Sequence, residues 1–360
     1  MRVLFIPSWF PTSSNLSAGH FIKQLAIDLS ESNVQIEVLF FDYSYKHLSQ
    51  KKSATEIINT NLKIHHMSGF HFPKMNANTQ DKWVKTCINE SKSLIENWDF
   101  DFIHSHDYVA SFVGAKLSTD KNIKHIISLH HSNFIENKIK LWRIDLLQKV
   151  FHDAFKLITP SSKFTDKINS DFATNAITIP HYIHWELYLK EKSNNPLKAI
   201  SVTSYESVKN NAGLINFCIE NKVEIDIFGS TEKELLKDLP DHIKFKGKIS
   251  FNELQKIYSS YDFLISFSHV ETFGLTVLEA FSHGLPVLVK NKIGGLDLVN
   301  ESNGMFIDNE FNYQNFINAI SSFESEKIQE NTKKTFNKKK IIDKSLIVWS
   351  FNFTKNDYTN

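Results

Sequence analysis

Short runs rich in β-branched and aromatic residues alternate with longer segments of helical periodicity nearly from end to end of the chain. That alternation is the pattern of parallel sheets joined by crossover helices, so the fold class is α/β. In the first half it predicts strands at Val3–Pro7, Ile36–Asp42, Lys63–Met67, Phe102–His106, His125–His130, Leu157–Pro160 and Ile177–His181. In the second half it predicts Ala199–Ser204, Glu224–Gly229, Ile243–Gly247, Phe263–Ser268, Pro286–Val289 and Met305–Asp308. Two similar sheets result, each doubly wound and Rossmann-like. If they face one another, the C-terminal ends of both strand sets surround one cleft, and ligands belong there.

Length supports the division, because 360 residues exceed the roughly 250–300 at which a single core stops growing. The stretch Lys190-Glu191-Lys192-Ser193-Asn194-Asn195-Pro196 is polar and ends in proline, which marks a linker. The expected plan is a domain over 1–189, a linker over 190–198, a second domain over 199–340, and a helical tail over 341–360 packing back on the first domain.

Composition is that of an ordinary soluble globular chain, with 41% hydrophobic and 22% charged residues. Formal charge is +1, and neither half has the positive field that nucleic-acid binding needs. Cys87 and Cys218 lie far apart without a CxxC pair, which excludes a disulfide scaffold and a cysteine zinc site and fits a reducing cytoplasm. Met1 to Pro7 is too short an apolar run for a signal peptide, and no stretch approaches the ~18–20 apolar residues that span a bilayer. Lys333, Lys334, Lys338, Lys339 and Lys340 form a basic cluster that would suit peripheral contact with the inner membrane face at about 1 kcal/mol each. A solvated helix face explains the same lysines.

The segment Ser268 to Val287 carries the most chemistry. It follows a buried strand, opens a helix near Thr272–Gly274, and stops at Gly284 with Pro286 two residues beyond. At such a helix start the amides of Phe273, Gly274 and Leu275 lack intrahelical partners, and Gly274 allows close approach of an anion or a hydroxyl-rich group. Glu271 and Glu279 stand eight residues apart, an axial rise of roughly 12 Å. Acid and nucleophile carboxyls of a retaining hydrolase sit about 5–5.5 Å apart, so this pair suits two ends of one ligand instead. Taken singly, each glutamate reads as a cap or an exposed helix charge.

The pattern Ser-x2-Glu-x-Phe-Gly-x4-Glu-Ala-x3-Gly-x-Pro-Val resembles the signature of retaining GT-B glycosyltransferases of family 4. Gly294-Gly295, Ile243 to Ile249, Asp226 to Gly229, Asp101 to Asp107, Ser128-Leu129-His130, Pro7 to Pro11 and Gly19-His20-Phe21 are similar to further parts of that family, so the likeness covers nearly the whole chain. It implies transfer of a sugar from a UDP- or GDP-linked donor to a hydroxyl of a glycan or lipid-linked acceptor, with retention and without a metal or other cofactor. By that likeness Glu279 holds the ribose hydroxyls, Glu271 the donor sugar, and Thr272, Phe273, Gly274 and Leu275 the sugar and diphosphate. Gly19 would lie by the diphosphate or acceptor and His130 by the donor sugar, while His106, Gly229, Lys246 and Ile249 are candidate nucleotide or acceptor contacts. Front-face attack, aided by the departing phosphate, needs positive groups aimed at the leaving diphosphate rather than a protein nucleophile.

The chain departs from the family at those positive groups. Ser204 stands where an arginine is common, Lys209 matches the lysine that follows, and the only arginines are Arg2 and Arg143. Lys209, with Lys246 or Lys248 as helper, is therefore expected to carry the leaving-group charge alongside the helix start. Glu271, Lys209 and His130 are the expected catalytic residues. A second departure is Ile179-Pro180-His181-Tyr182, where the family has Pro-Asn-Gly. Asp99-Phe100-Asp101 has a metal-binding form but opens a strand rather than ending one, and the neighbouring histidines lack a completing carboxylate or cysteine. The sequence contains neither GxGxxG nor a P-loop. The alternatives are a nucleotide-sugar 2-epimerase of the same architecture and a non-catalytic sugar-binding protein.

Overall fold

The computed structural model describes residues 1–12, 15, 18–42, 52–68, 76–95, 97–183, 196–290, 297–308 and 310–350. The chain forms two compact units: unit one takes in Met1–Pro160, Thr165–Ile179 and the chain from Ile342, and unit two Ser161–Phe164 with Pro180–Ile341. Of the expected linker, 190–195 lie outside the described residues, and so do Gly294 and Gly295.

Unit one is built on β1 (Arg2–Pro7), β2 (Gln35–Asp42), β3 (Lys52–Asn59), β4 (Leu62–Ser68), β5 (Phe102–His106), β6 (Lys124–Ser128), β7 (Lys156–Thr159) and β8 (Ile177–Thr178). The sheet order is β3-β4-β2-β1-β5-β6-β7-β8. Every pairing is parallel except β3 with β4. Helices α1 (His20–Glu31), α2 (Ala77–Ser91), α3 (Tyr108–Lys121), α4 (Leu141–Asp153) and α5 (Ser162–Phe172) supply the crossovers. Val3 to Ile6, Phe102, Ile103, Ile126 and Ile127 are sealed from solvent. These runs are apolar without alternation because helices cover the strands on both faces.

Strand β3 escapes the sequence reading. It reads Lys-Ser-Ala-Thr-Glu-Ile-Ile-Asn, lies at the sheet edge with Ile57 69% exposed, and so carries the mixed polar pattern of an edge rather than of a buried strand. Predicted strands also end early, β6 at Ser128 instead of His130, β8 at Thr178 instead of His181 and, in unit two, the strand from Phe263 at Ser266 instead of Ser268.

Unit two contains β9 (Lys198–Thr203), β10 (Glu224–Gly229), β11 (Ile243–Gly247), β12 (Phe263–Ser266), β13 (Val287–Lys290) and β14 (Gly304–Ile307), ordered β11-β10-β9-β12-β13-β14 and parallel throughout. Its helices are α6 (Asn211–Glu220), α7 (Phe251–Ile257), α8 (Leu275–Ser282), α9 (Tyr313–Ala319) and α10 (Ser325–Thr335), and α11 (Lys338–Val348) follows. Ala199, Ile200, Leu264, Ile265, Leu278, Val287 and Leu288 form the floor of one core. Beyond α11, Trp349 is buried in unit one with its ring 6.0 Å from Phe5 and 5.7 Å from His104.

Strand order reverses between β1 and β5 in unit one and between β9 and β12 in unit two. At such a switch point the connections leave in opposite directions and open a crevice beyond the strand ends. The residues discussed next follow those strands.

Candidate active site

In unit two the chain leaves β9 through a one-turn 3-10 helix, Ser207–Lys209, and leaves β12 through the turn that leads into α8. The two turns are tied together by the His269 amide, which donates to the Val208 carbonyl at 2.7 Å. This brings Lys209 Nζ to 2.8 Å from Glu271 Oε1, both side chains about three-quarters covered. Desolvation pulls the Lys209 pKa down, but the charge and hydrogen bond of Glu271, with Glu206 beyond, outweigh it and hold the ammonium above its ordinary range. Ser204, at the arginine's place, accepts from Asn211 Nδ2 at 3.1 Å through its carbonyl.

Helix α8 begins at Leu275, slightly later than expected, because Gly274 sits at φ 97° and ψ 57°, outside helical space. No side chain caps this end, and the Gly274 carbonyl already accepts the amides of Val277 and Leu278 at 3.0 and 3.1 Å. The α8 start thus presents backbone amides at the end of β12, close in sequence to Glu271. The other end closes as predicted: Gly284 at φ 71° and the Leu285 amide on Ala280 O make a Schellman stop. Phe273 is buried, edge-on to His181 at 5.1 Å and to Phe336 at 5.8 Å. The unusual Pro-His-Tyr loop therefore supports the site turn.

Glu279 is not an exposed helix charge. It is 9% exposed, and its Oε2 accepts the Tyr258 hydroxyl at 3.0 Å. Burial pushes its pKa up to about 7, against the opposing pull of that hydrogen bond.

In unit one Gly19 caps α1 at φ 63°, and a Cβ there would lie 2.4 Å from the Trp9 carbonyl oxygen, so only glycine fits. His106 ends β5 and His130 lies in the loop after β6, their rings parallel within 7° and their Nδ1 and Nε2 3.4 Å apart. Phe21 stands edge-on to His130 at 4.9 Å. Next to His106 in the chain is Asp107, fully buried, with φ 79° and ψ 164°, a backbone state close to glycine's own. Its Oδ1 accepts the His130 amide at 3.4 Å, and burial raises its pKa to about 7. His104 and His125 are structural: each bonds a buried serine at 2.8 Å, and burial lowers both pKa values to about 3.

The sequence-predicted residues thus fall into two sets. Lys209, Glu271, Thr272, Phe273, Gly274, Leu275 and Glu279 gather along the β12–α8 connection of unit two, and Gly19, His106 and His130 gather in unit one. Gly229 closes β10 at φ 117°, where a Cβ would lie within bonding distance of Thr203 O, and Ile249 packs partly buried against the unit-two core. Lys246 joins a different network, 3.9 Å from Asp226, which also receives Lys198 and Tyr261 at 2.8 Å. Asp101 lies immediately before β5, its carboxylate taking the Arg2 amide at 2.8 Å. Among the described residues no group of three or more His, Cys, Asp and Glu side chains is placed to hold a metal ion. Sequence reading overlooked Tyr258 and Asp107; the capping box Ser250–Glu253 marks the helix that delivers the first, but nothing local marks the strain on the second.

A family profile described as Glycosyltransferase Family 4 matches residues 18–183, and one described as Glycosyl transferases group 1 matches 189–340. The fold and this pair of matches define a glycosyltransferase with two Rossmann-like domains. The chain belongs to the GT-B glycosyltransferases of the family 4 type. It is 24% identical over 308 residues to an uncharacterized glycosyltransferase of Methanocaldococcus jannaschii, covering 82% of this chain and 80% of that one. Sucrose-phosphate synthase from Thermosynechococcus elongatus shares the fold with a TM-score of 0.80 at 14% identity, over 97% of this chain and 98% of that one. HepE of Anabaena, solved with UDP and glucose, superimposes with a TM-score of 0.71 at 15% identity, over 96% and 98%.

Proposed function

We propose that this enzyme moves a hexose from a UDP- or GDP-linked donor to a hydroxyl of a glycan or glycolipid, with retention and without a metal. The observation that carries the reading is the Lys209–Glu271 pair at 2.8 Å beside the open start of α8, with Glu279 buried within that helix. An ammonium and a set of backbone amides supply the positive potential that a leaving diphosphate needs. Glu271 then accepts from the sugar hydroxyls and Glu279 from the ribose, so one ligand is held by both its ends. By the family resemblance His130, held by its Asp107 contact and its stack on His106, is proposed as a donor-sugar contact. HepE, of the same fold, is solved with UDP and glucose, which supports a nucleotide-sugar donor. No helix among the described residues is long and apolar enough to cross a membrane, and a cytoplasmic enzyme with its basic α10–α11 segment near the inner membrane face fits the lysine cluster.

A panel of nucleotide sugars, read by thermal shift, tests the donor class. A true donor at a hundred times its dissociation constant is expected to stabilise the protein by about 2.7 kcal/mol. A panel in which no UDP- or GDP-sugar moves the melting temperature refutes the reading.

A further inference from the structure

Behind the donor-facing glutamates of unit two stands a phenol. Tyr258 lies in the 3-10 turn Tyr258–Ser260 that follows α7, has no solvent exposure, and donates its hydroxyl to Glu279 Oε2 at 3.0 Å. Its ring is stacked on His283 at 4.9 Å and 28°, and His283 Nδ1 lies 2.9 Å from the Glu279 carbonyl and 3.0 Å from Ser282 Oγ. The ring is therefore held by its stack on His283 and the hydroxyl by its bond to Glu279. A glutamate side chain would otherwise lose rotamer freedom only when a ligand arrives, which weakens binding. Bonded to Tyr258 it is ordered in advance, and it keeps acceptor lone pairs for a ligand.

We infer that Tyr258 is a positioning residue: it orients the Glu279 carboxylate to accept from the vicinal hydroxyls of a ribose, and so makes the site prefer nucleotides that carry them. The inference rests on the reading of Glu279 as the ribose acceptor. Among the described residues, Tyr258 from its turn and His283 from the end of α8 are the titratable side chains whose contacts reach Glu279. Burial holds the first above and the second below its usual range, so both are neutral near pH 7. The phenol donates only to the ionised or acceptor oxygen, and it opposes the upward push of burial on Glu279.

The test measures binding of UDP and GDP and of their 2′,3′-dideoxy forms to the wild type, Tyr258→Phe and Glu279→Gln by titration calorimetry, with affinity followed from pH 5.5 to 8.5. The wild type is expected to prefer the ribonucleotide, and Glu279→Gln to lose most of that preference. Tyr258→Phe, which keeps the ring and its stack, is expected to bind the ribonucleotide about tenfold more weakly and the dideoxy form unchanged, the worth of one hydrogen bond to a charged group. Its affinity midpoint should also move to higher pH. Should Glu279→Gln keep the wild-type preference, or the wild type bind neither nucleotide, the ribose reading of Glu279 falls and the tyrosine's role with it. If Glu279→Gln loses the preference while Tyr258→Phe keeps it, or weakens both forms alike, or leaves the pH midpoint in place, Tyr258 is packing alone and the inference is overturned.

Discussion

Glu279 is held against its own stability, and that can be measured. In the unfolded chain its carboxyl titrates near 4.5, while in the fold burial raises it to about 7. Between those values the native state binds more protons than the unfolded state, so this group's favourable contribution is complete below pH 4.5 and is lost as pH rises through 7. At 1.36 kcal/mol per pKa unit the loss is about 3 kcal/mol. Glu279→Gln keeps the shape and an acceptor for the Tyr258 hydroxyl but cannot ionise. The variant should therefore gain on the wild type by about 3 kcal/mol between pH 4.5 and pH 8, or roughly 6–12 °C at about 2–4 °C per kcal/mol for a domain of this size. Scanning calorimetry of both proteins at the two pH values reads the difference directly. Asp107, raised to about 7, and the depressed histidines of unit one titrate identically in both and cancel. A variant-minus-wild-type difference that is the same at pH 4.5 and pH 8 would refute the buried-carboxylate argument. Under the proposed reading that cost is retained because the carboxylate binds a ligand.

Two further outcomes follow from the geometry. Lys209→Ala removes the ammonium 2.8 Å from Glu271 and should lower turnover by about 2.7–4 kcal/mol of barrier in a donor-hydrolysis or transfer assay; near-normal kcat would show that the α8 amides suffice without it. Gly19→Ala places a Cβ 2.4 Å from the Trp9 carbonyl at a positive φ, and should cost more than ~1 kcal/mol in a denaturant melt; an unchanged midpoint would contradict the close approach.

Local chemistry was enough to write most of this protein from its sequence. Buried parallel strands are covered on both faces, so Val3–Pro7, Phe102–His106 and Ala199–Thr203 are apolar whichever neighbour they pair with, and turn residues such as Gly284 are dictated by a φ that only glycine adopts cheaply. Glu271 and Glu279 stood out as a candidate pair because one helix and its entry turn carry them at a set spacing. Edge strand β3 was not legible, since solvent on its open side removes the apolar run by which strands are recognised. Three things required the tertiary structure. Lys209 reaches Glu271 across 62 residues because β9 and β12 are neighbours at the strand-order reversal. Tyr258 reaches Glu279 because the turn after α7 packs on α8. Asp107 receives the His130 amide because β5 and β6, which those residues follow, are neighbours in the sheet. Periodicity reports which face of an element is apolar, but a hydrogen bond between side chains far apart in the chain, and the pKa that burial sets, exist only once the elements are packed.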